Sequence, residues 1–233
     1  MCGRFVQISA TITRLRSMLD FQQSADTYAP HRSHIDSYNI APDSMVTVIG
    51  ALNGNLALTE MLWGIKPNWL RDSGRNLINA RVESLLEKPT FRKLLNQKIV
   101  IPAEGFYEWQ AHDSQQPRRS KTPYYFHRAD NNPLLLAGLY EKSTKREAGE
   151  LADTFVILTT NANVMMEPYH NRMPVILEPS QAASWILTET EANLIDEIAL
   201  PPANHLLALH QVSTQVNSSR TDGPGLIARV EDI

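Results

Sequence analysis

Helix-like spacing of apolar residues appears near both ends of the chain. Over 9–20 (SATITRLRSMLD) the spacing places four apolar side chains on one face, and Ser9 precedes them as a candidate N-cap. The same signal returns over 179–187 (PSQAASWIL) and 190–200 (TEANLIDEIAL). These patterns predict one helix soon after the N-terminus and two helices towards the C-terminus.

Strand-like segments fill the middle of the chain. Two strands are predicted within 44–62, on either side of Asn53-Gly54, a dipeptide typical of a two-residue hairpin turn. Five further stretches have the composition of strands, the last of them with its turn: 98–110, 122–127, 133–141, 154–160 and 209–217.

The order of these elements favours an α+β fold. Residues 78–95 are predicted to form the end of a strand followed by a helix, and Pro89 either interrupts that helix or starts a second one. Many strands lie between helices at the two ends, without the regular strand–helix alternation of a doubly wound sheet. Since the sequence has no internal repeat and no linker-like tract, we expect residues 1–233 to form a single domain.

Composition points to a globular protein in a reducing compartment. The 233 residues are 42% hydrophobic and 20% charged, which is ordinary for a soluble domain. No apolar run approaches the roughly 20 residues of a membrane span, and the N-terminus lacks the apolar core of a signal peptide. One cysteine cannot form an internal disulfide, and clusters of zinc ligands are missing from the sequence. We therefore expect a cytoplasmic protein without a metal or cofactor.

Charge is distributed unevenly along the chain. The net charge is −3, yet residues 1–128 carry 16 basic and 11 acidic side chains, while residues 129–233 carry 6 and 14. Such asymmetry is compatible with one basic face that binds a polyanion. The alternative is that folding mixes the two halves and leaves no basic patch.

The single cysteine, Cys2, directly follows the initiator Met1. A small residue here permits removal of Met1, which leaves Cys2 with a free α-amine beside its thiol. The pKa of an α-amine is about 7.7–8.0, against about 10.4 for lysine, so a larger fraction is neutral and nucleophilic at pH 7. An imine formed by this amine can be captured by the thiol as a five-membered thiazolidine ring. The alternative is a small apolar residue that only permits removal of Met1.

Two titratable residues are candidates for proton transfer. Glu108 lies between Tyr107 and Trp109 in a strand-like stretch, where desolvation can raise a carboxyl pKa towards useful values. The alternative is an ordinary solvated glutamate. His170 offers acid–base chemistry near neutral pH, with Arg172 as an anion donor two residues on. A lone histidine, however, is more often structural.

An amide and a guanidinium complete the candidates. Asn79 and Arg81 alternate in INARVES, so a strand presents both on one face.

Eight motifs occur along the chain in a characteristic order: CGRF, YNIAP, WGIKP, NARVES, IPAEGFYEW, LTTNAN, HNRMPVIL and VSTQVN. In these motifs the chain resembles the SOS-response-associated peptidase (SRAP) family, and the resemblance covers essentially its whole length.

The resemblance implies a fold and a chemistry. The fold is a single compact α+β domain, with mixed or antiparallel strands in a curved sheet or barrel-like core flanked by helices. The chemistry is a covalent crosslink between Cys2 and the ring-opened deoxyribose of an abasic site in single-stranded DNA. In this scheme Cys2 is the nucleophile, Glu108 is an acid and base near the amine and the sugar, His170 assists sugar opening, and Asn79 orients the sugar.

The resemblance also implies a set of DNA contacts. Arg4, Arg81 and Arg172 are expected to hold flanking phosphates, since a guanidinium matches phosphate geometry. Trp69 resembles an aromatic that stacks on exposed bases, with a core tryptophan as its alternative. The expected partner is single-stranded DNA with an abasic site, with or without a duplex junction, bound by a monomer away from membranes. In a bacterium the expected location includes the nucleoid.

Three competing activities remain open from the sequence. The imine can undergo β-elimination instead of closing to a ring, and the protein would then be an abasic-site lyase. A cysteine peptidase could combine Cys2 and His170 with an Asn or Glu, and its self-cleavage would release Met1. A non-catalytic module could bind single-stranded nucleic acid through Trp69 and the arginines. Crosslinking needs both the amine and the thiol of Cys2, and peptide hydrolysis needs a thiolate and an oxyanion hole but no free α-amine. Simple binding would survive the loss of Cys2.

Overall fold

The computed structural model describes most of the chain. The described residues are 2–19, 36–67, 69–70, 74–110, 121–143, 152–189 and 192–230. Met1, whose removal the sequence predicts, and the predicted helical residues 20 and 190–191 lie outside them. None of the helices within these residues has the length and apolar character needed to cross a membrane.

The predicted helices are found close to their expected positions. The described residues contain α1 (Ser9–Met18), α2 (Pro89–Arg92), α3 (Pro179–Leu187) and α4 (Ala192–Ile198). Pro89 is the first residue of α2, where a fixed φ and a missing N–H are tolerated. Of the two alternatives that the sequence left open for Pro89, the start of a second helix is the one that the structure confirms.

The predicted cap of α1 is wrong by one residue. Ile8 is the N-cap, and its backbone N–H donates to the hydroxyl of Thr11 at 3.1 Å. Ser9 is instead the first helical residue, and its hydroxyl donates to Asp36 Oδ1 at 2.7 Å. The serine hydroxyl is therefore engaged by a distant carboxylate rather than by the first turn of its own helix.

The strands form two sheets. In chain order they are β1 (Phe5–Gln7), β2 (Ser37–Ile40), β3 (Met45–Leu52), β4 (Asn55–Trp63), β5 (Asn79–Arg81), β6 (Lys98–Ala103), β7 (Gly105–Gln110), β8 (Thr122–Arg128), β9 (Leu134–Glu141), β10 (Thr154–Asn161), β11 (Arg172–Pro174), β12 (Ile176–Leu177) and β13 (Leu207–Gln211). The smaller sheet has the order β13-β8-β7-β1-β2. The larger has the order β11-β10-β4-β3-β6-β9-β12, with β5 on β10.

The larger sheet bends back on itself. Strand β9 pairs with β10 as well as with β6, so the path from β10 through β4, β3, β6 and β9 returns to β10. The result is ring-like without being a closed barrel. Only the β4–β10 and β5–β10 pairs are parallel among the described pairings. The mixed α+β fold with a curved, mostly antiparallel sheet is confirmed.

Two details of the predicted strands have different outcomes. The hairpin at Asn53-Gly54 is confirmed, because both residues have positive φ (51° and 77°) between the paired strands β3 and β4. The single strand predicted over 98–110 is wrong. The chain bends at Glu104, so that β6 enters the larger sheet and β7 the smaller one. One apolar run thereby crosses between the two sheets.

The apolar residues separate into three layers. Helices α1, α3 and α4 cover one face of the larger sheet. The core between the two sheets, here the inter-sheet core, includes Cys2, Phe5, Phe106 and Phe155. The outer face of the smaller sheet packs against residues near the C-terminus, such as Leu226. The N-terminal cysteine therefore lies in the central layer of the fold.

Close packing at Gly105 supports the crossing between the sheets. A Cβ built there would lie 2.4 Å from the carbonyl oxygen of Phe126 and 2.5 Å from the ring of Tyr125. We predict that Gly105→Ala lowers the free energy of unfolding by about 2–3 kcal/mol, because overpacking forces backbone shifts. Urea denaturation measures the change.

Gly225→Ala is the matched control, since a Cβ there meets nothing within 4 Å. Its free energy of unfolding should stay within about 0.5 kcal/mol of the parent. Equal stabilities for the two variants would contradict the close packing described at Gly105.

Candidate active site beside the N-terminal cysteine

Strand pairing places Cys2 next to β7. Phe5 is opposite Phe106, and the N–H of Tyr107 donates to the carbonyl of Arg4 at 3.0 Å. This antiparallel register places Arg4 opposite Tyr107, and one residue further it places Gly3, the residue that follows Cys2, opposite Glu108. The Cys2 side chain is buried, and its Sγ lies 3.8 Å from the carbonyl oxygen of Arg4.

Glu108 and the Cys2 thiol are electrostatically coupled. Glu108 is only 5% exposed and lies on the same face of β7 as Phe106, which belongs to the inter-sheet core. Burial, and then the negative charge of Glu108, raise the pKa of the Cys2 thiol far above its ordinary value. In a chain that retains Met1, the sulfur is therefore protonated and unreactive at neutral pH.

Asn79 reaches the same point from the other sheet. It is the first residue of β5, opposite Ile157 of β10. Its Nδ2 donates to the carbonyl oxygen of Cys2 at 3.0 Å. Its Oδ1 is buried and accepts no hydrogen bond from any residue in the described part of the chain. An acceptor is thus held beside Cys2, where a bound molecule could supply the donor.

His170 has a defined protonation pattern. The ring is half-buried just before β11, and its Nδ1 accepts the backbone N–H of Arg172 at 2.9 Å. Because an acceptor nitrogen carries no proton, the neutral ring has its hydrogen on Nε2. Burial lowers the pKa of His170, while the negative charge of Glu108 opposes that shift. We refer to Cys2, Asn79, Glu108 and His170 together as the N-terminal site.

Aromatic contacts hold Tyr169, the residue before His170, against the smaller sheet. The ring of Tyr169 packs edge-on against Tyr124 and Phe126, with centroid distances of 4.6 and 5.2 Å. Tyr124 is directly opposite Glu108 in the β7–β8 register. Sequence reasoning missed Tyr169 and Tyr124, although the adjacency of tyrosine and His170 was a signal that could have found the first.

Arg4 lies close to the site but is already engaged. Its Nη1 donates to Asn39 Oδ1 at 2.7 Å and to the carbonyl of Val216 at 2.9 Å. Burial lowers the pKa of Arg4. The guanidinium therefore joins the N-terminal residues to β2 and to the segment after β13. Asn39, within the YNIAP motif, is a partner that sequence reasoning missed.

Arg172 is also held by protein groups. It is 7% exposed, and its two terminal nitrogens donate to the two carboxylate oxygens of Glu83 at 2.6 and 2.8 Å. They also donate to Asn161 Oδ1 at 2.8 Å and to the carbonyl of Thr159 at 2.5 Å. Arg172 thereby fastens β11 to β10 and to the turn after β5. Glu83, within NARVES, was missed as its partner.

Arg81 and Trp69 are the exposed members of the predicted set. Arg81 shares one face of β5 with Asn79, separated by buried Ala80, as the alternation predicted. Trp69 is 69% exposed, and its Nε1 donates to the hydroxyl of Thr90 at 3.3 Å. The alternative of a core tryptophan is therefore wrong. The described residues, at the N-terminal site and elsewhere, contain no group of three or more His, Cys, Asp or Glu suited to a metal ion.

The hydrogen bond at His170 leads to a measurable prediction. In ¹⁵N-resolved NMR of the imidazoles, His170 should titrate below the ordinary histidine pKa of about 6.5, because burial disfavours the imidazolium. Above that midpoint the proton should reside on Nε2. The His170→Gln variant assigns the signal. A midpoint above 6.5, or a proton on Nδ1 in the neutral ring, would contradict this geometry.

Comparisons with known proteins agree with the motifs. The family model described as SOS response associated peptidase (SRAP) matches residues 1–219. The abasic site processing protein YoqW of Bacillus subtilis is 35% identical over 231 residues, covering 97% of this chain and 99% of the relative. The abasic site processing protein YedK of Escherichia coli is 31% identical over 234 residues, covering 99% and 100%.

A solved structure has the same fold. A crystal structure of a protein from Bacteroides thetaiotaomicron superimposes with a TM-score of 0.78 at 20% sequence identity, covering 99% of this chain and 100% of that one. At this identity the likeness concerns the fold alone. The family match and the identity to YoqW and YedK go further, and they show that the chain belongs to the SRAP family.

Proposed function

We propose that this protein processes abasic sites by forming a covalent crosslink through Cys2. Its relatives YoqW and YedK are named as abasic site processing proteins. The observation that carries the proposal is the N-terminal site itself. Cys2, the only cysteine of the chain, is hydrogen-bonded to the Asn79 amide and lies within the electrostatic range of the buried Glu108, which also acts on His170.

Removal of Met1 is the step that activates the site. It converts the peptide nitrogen of Cys2 into an α-amine, whose ordinary pKa of about 7.7–8.0 leaves a useful neutral fraction at pH 7. The carbonyl of the same residue stays bound to Asn79 Nδ2, so the amine is held in place. A new ammonium beside the sulfur also opposes the effect of Glu108 on the thiol pKa.

The crosslink then forms in two additions at one carbon. The amine lone pair of Cys2 attacks C1′ of the open-chain deoxyribose, and the aldehyde oxygen becomes a hydroxyl. Loss of that hydroxyl as water gives an imine. The sulfur then adds to C1′ while its proton goes to the imine nitrogen, which closes a thiazolidine ring. The reaction uses no oxidant or reductant, and fixed geometry favours the second addition.

Glu108 is suited to the proton transfers at the amine and the hydroxyl. As a carboxylate it can take the proton that the attacking nitrogen loses. As a carboxylic acid it can then protonate the departing hydroxyl. Its effect on the pKa values of both the Cys2 thiol and His170 places it within electrostatic range of each.

His170 is suited to opening the sugar. The closed abasic deoxyribose opens by breaking its C1′–O4′ bond, as O4′ gains a proton and the C1′ hydroxyl loses one to become the aldehyde. The Nε2–H, which is fixed by the bond at Nδ1, can donate a hydrogen bond to the charge that develops on O4′, while water supplies the proton that O4′ gains and takes the one that the hydroxyl loses. The same tautomer disfavours the peptidase alternative, because an Nε2 that already carries a proton cannot accept one from the Cys2 thiol.

The DNA contacts remain proposals of different kinds. Arg81 and Trp69 are exposed, so they can meet a phosphate and a base without rearrangement. Arg4 and Arg172 already donate hydrogen bonds to protein acceptors, so either could bind a phosphate only by sharing its N–H groups between the phosphate and those acceptors.

We propose that a monomer binds single-stranded DNA, with or without a flanking duplex. Abasic-site lyase activity by β-elimination from the imine is the competing fate of the intermediate.

A denaturing gel tests the proposal. Purified protein lacking Met1 is incubated with a single-stranded oligonucleotide that contains one abasic site. We predict a band that survives denaturation for the parent protein. Cys2→Ser keeps the amine but cannot form the thiazolidine, so its adduct should require borohydride reduction to persist. A variant with one extra residue before Cys2 should form no adduct, because the α-amine has moved.

The lyase and the non-catalytic module each have a signature of their own. Cleavage of the oligonucleotide without a lasting adduct on the denaturing gel would favour the lyase. Binding on a parallel native gel without any covalent species on the denaturing gel, unchanged in Cys2→Ser, would favour the non-catalytic module and contradict crosslinking. An oligonucleotide without the abasic site is the matched control and should remain free after denaturation.

A further inference from the structure

A second polar cavity lies on the opposite face of the smaller sheet. Side chains alternate along β8, so Phe126 faces the inter-sheet core while Tyr125 and His127 face outwards. The cavity on this outer face has a volume of about 330 Å³, and His127 and His210 are among its lining residues. The N-terminal site and this cavity are therefore separated by the sheet.

Strand register brings the two histidines together. His210 of β13 is directly opposite Tyr125 of β8, and His127 lies two residues further along β8 on the same face. Their ring centroids are 5.6 Å apart at an angle of 63°. Strand β7 presents Gly105 opposite His127, and the space beside this glycine is occupied by the ring of Tyr125, which stacks on His127 with a centroid distance of 5.6 Å.

Backbone carbonyls fix the tautomer of both rings. His127 Nδ1 lies 2.8 Å from the carbonyl oxygen of Arg128, and His210 Nε2 lies 2.8 Å from that of Ile227. A carbonyl oxygen can only accept, so each of these nitrogens carries the hydrogen. In the neutral rings, His127 Nε2 and His210 Nδ1 are left with lone pairs. Metal-binding histidines show this pattern, with one nitrogen on a carbonyl and the other on the metal.

We propose that His127 and His210 chelate a divalent transition-metal ion such as Zn²⁺. Nitrogen–zinc distances of about 2.0–2.1 Å put the centroids of two chelating rings about 5.2 Å apart at the ideal tetrahedral angle, and about 5.6 Å apart at a nitrogen–zinc–nitrogen angle near 120°. The observed separation of 5.6 Å corresponds to the wider angle. Imidazole nitrogen is a ligand that Zn²⁺, Cu²⁺ and Ni²⁺ share.

The surroundings set the strength of the site. The described residues contain no group of three His, Cys, Asp or Glu suited to a metal, so water would complete the coordination of a two-histidine site. Glu104, which also lines the cavity, is paired with Arg14. The positive charge of Arg229, which acts on His127, opposes a bound cation, and this repulsion limits the affinity.

Metal binding here would have a structural consequence. The ion would join β8 to β13, and the bond from His210 to Ile227 extends that link to residues near the C-terminus. The site uses none of the residues proposed to react with DNA, so it stands or falls independently of the crosslinking proposal.

Zinc titration calorimetry on the full chain tests the site, in a Cys2→Ala background. This background is needed because the amine and thiol of Cys2 would themselves chelate zinc. His127→Asn and His210→Gln are the test variants, since each keeps an N–H able to donate to the Arg128 or Ile227 carbonyl while removing the lone-pair nitrogen. We expect each single variant to raise the dissociation constant at least about tenfold.

The pattern across variants decides the outcome. The double variant should lose no more affinity than either single one, because one chelate is being broken. His205→Gln removes an exposed histidine and should leave binding unchanged. Zinc should raise the melting temperature of the background protein but not of the two test variants, whose zinc-free melting temperatures should match the background. Zinc affinity that survives both test substitutions, or that falls equally in His205→Gln, would overturn the proposal.

Discussion

The hydrogen bond between Asn79 Nδ2 and the carbonyl oxygen of Cys2 joins the two sheets at the chain's second residue. An N-terminus is ordinarily the part of a domain most prone to fray. Here β1 pairs with β7 in the smaller sheet, while Asn79 on β5 of the larger sheet holds the residue just before β1. The cysteine is thereby positioned as firmly as a core residue, which is what a preorganised nucleophile requires.

Burial of Cys2 disfavours its thiolate, and the proposed removal of Met1 would supply a second nucleophile, the α-amine, on the same residue. Desolvation and the nearby Glu108 carboxylate suppress ionisation of the thiol, so the sulfur alone is a poor nucleophile. In the proposed reaction the first attack therefore falls to the amine, and the thiol acts second on an electrophile that the amine has already captured. His170 fits this order, because its Nε2–H is a donor to an oxygen rather than a base for the sulfur.

Much of the fold could be predicted from the sequence, because hydrophobic period and turn chemistry are local. The hairpin at Asn53-Gly54 and the start of α2 at Pro89 are of this kind. The bend at Glu104 and the engagement of two arginines could not be predicted, because their causes lie far away in the chain. Arg4 binds the carbonyl of Val216, 212 residues later, and Arg172 binds Glu83 across β10. Spacing identified the reactive groups, but only the fold shows which of their atoms are already engaged.

The most direct test of this account is the bonding of the trapped carbon. An abasic oligonucleotide labelled with ¹³C at C1′ is reacted with the protein lacking Met1, and the complex is examined by NMR. A thiazolidine predicts a tetrahedral C1′ bonded to one nitrogen and one sulfur, coupled to ¹⁵N when the protein is labelled. A trigonal imine carbon as the stable product, or a tetrahedral carbon without coupling to nitrogen, would contradict joint action of the amine and thiol of Cys2.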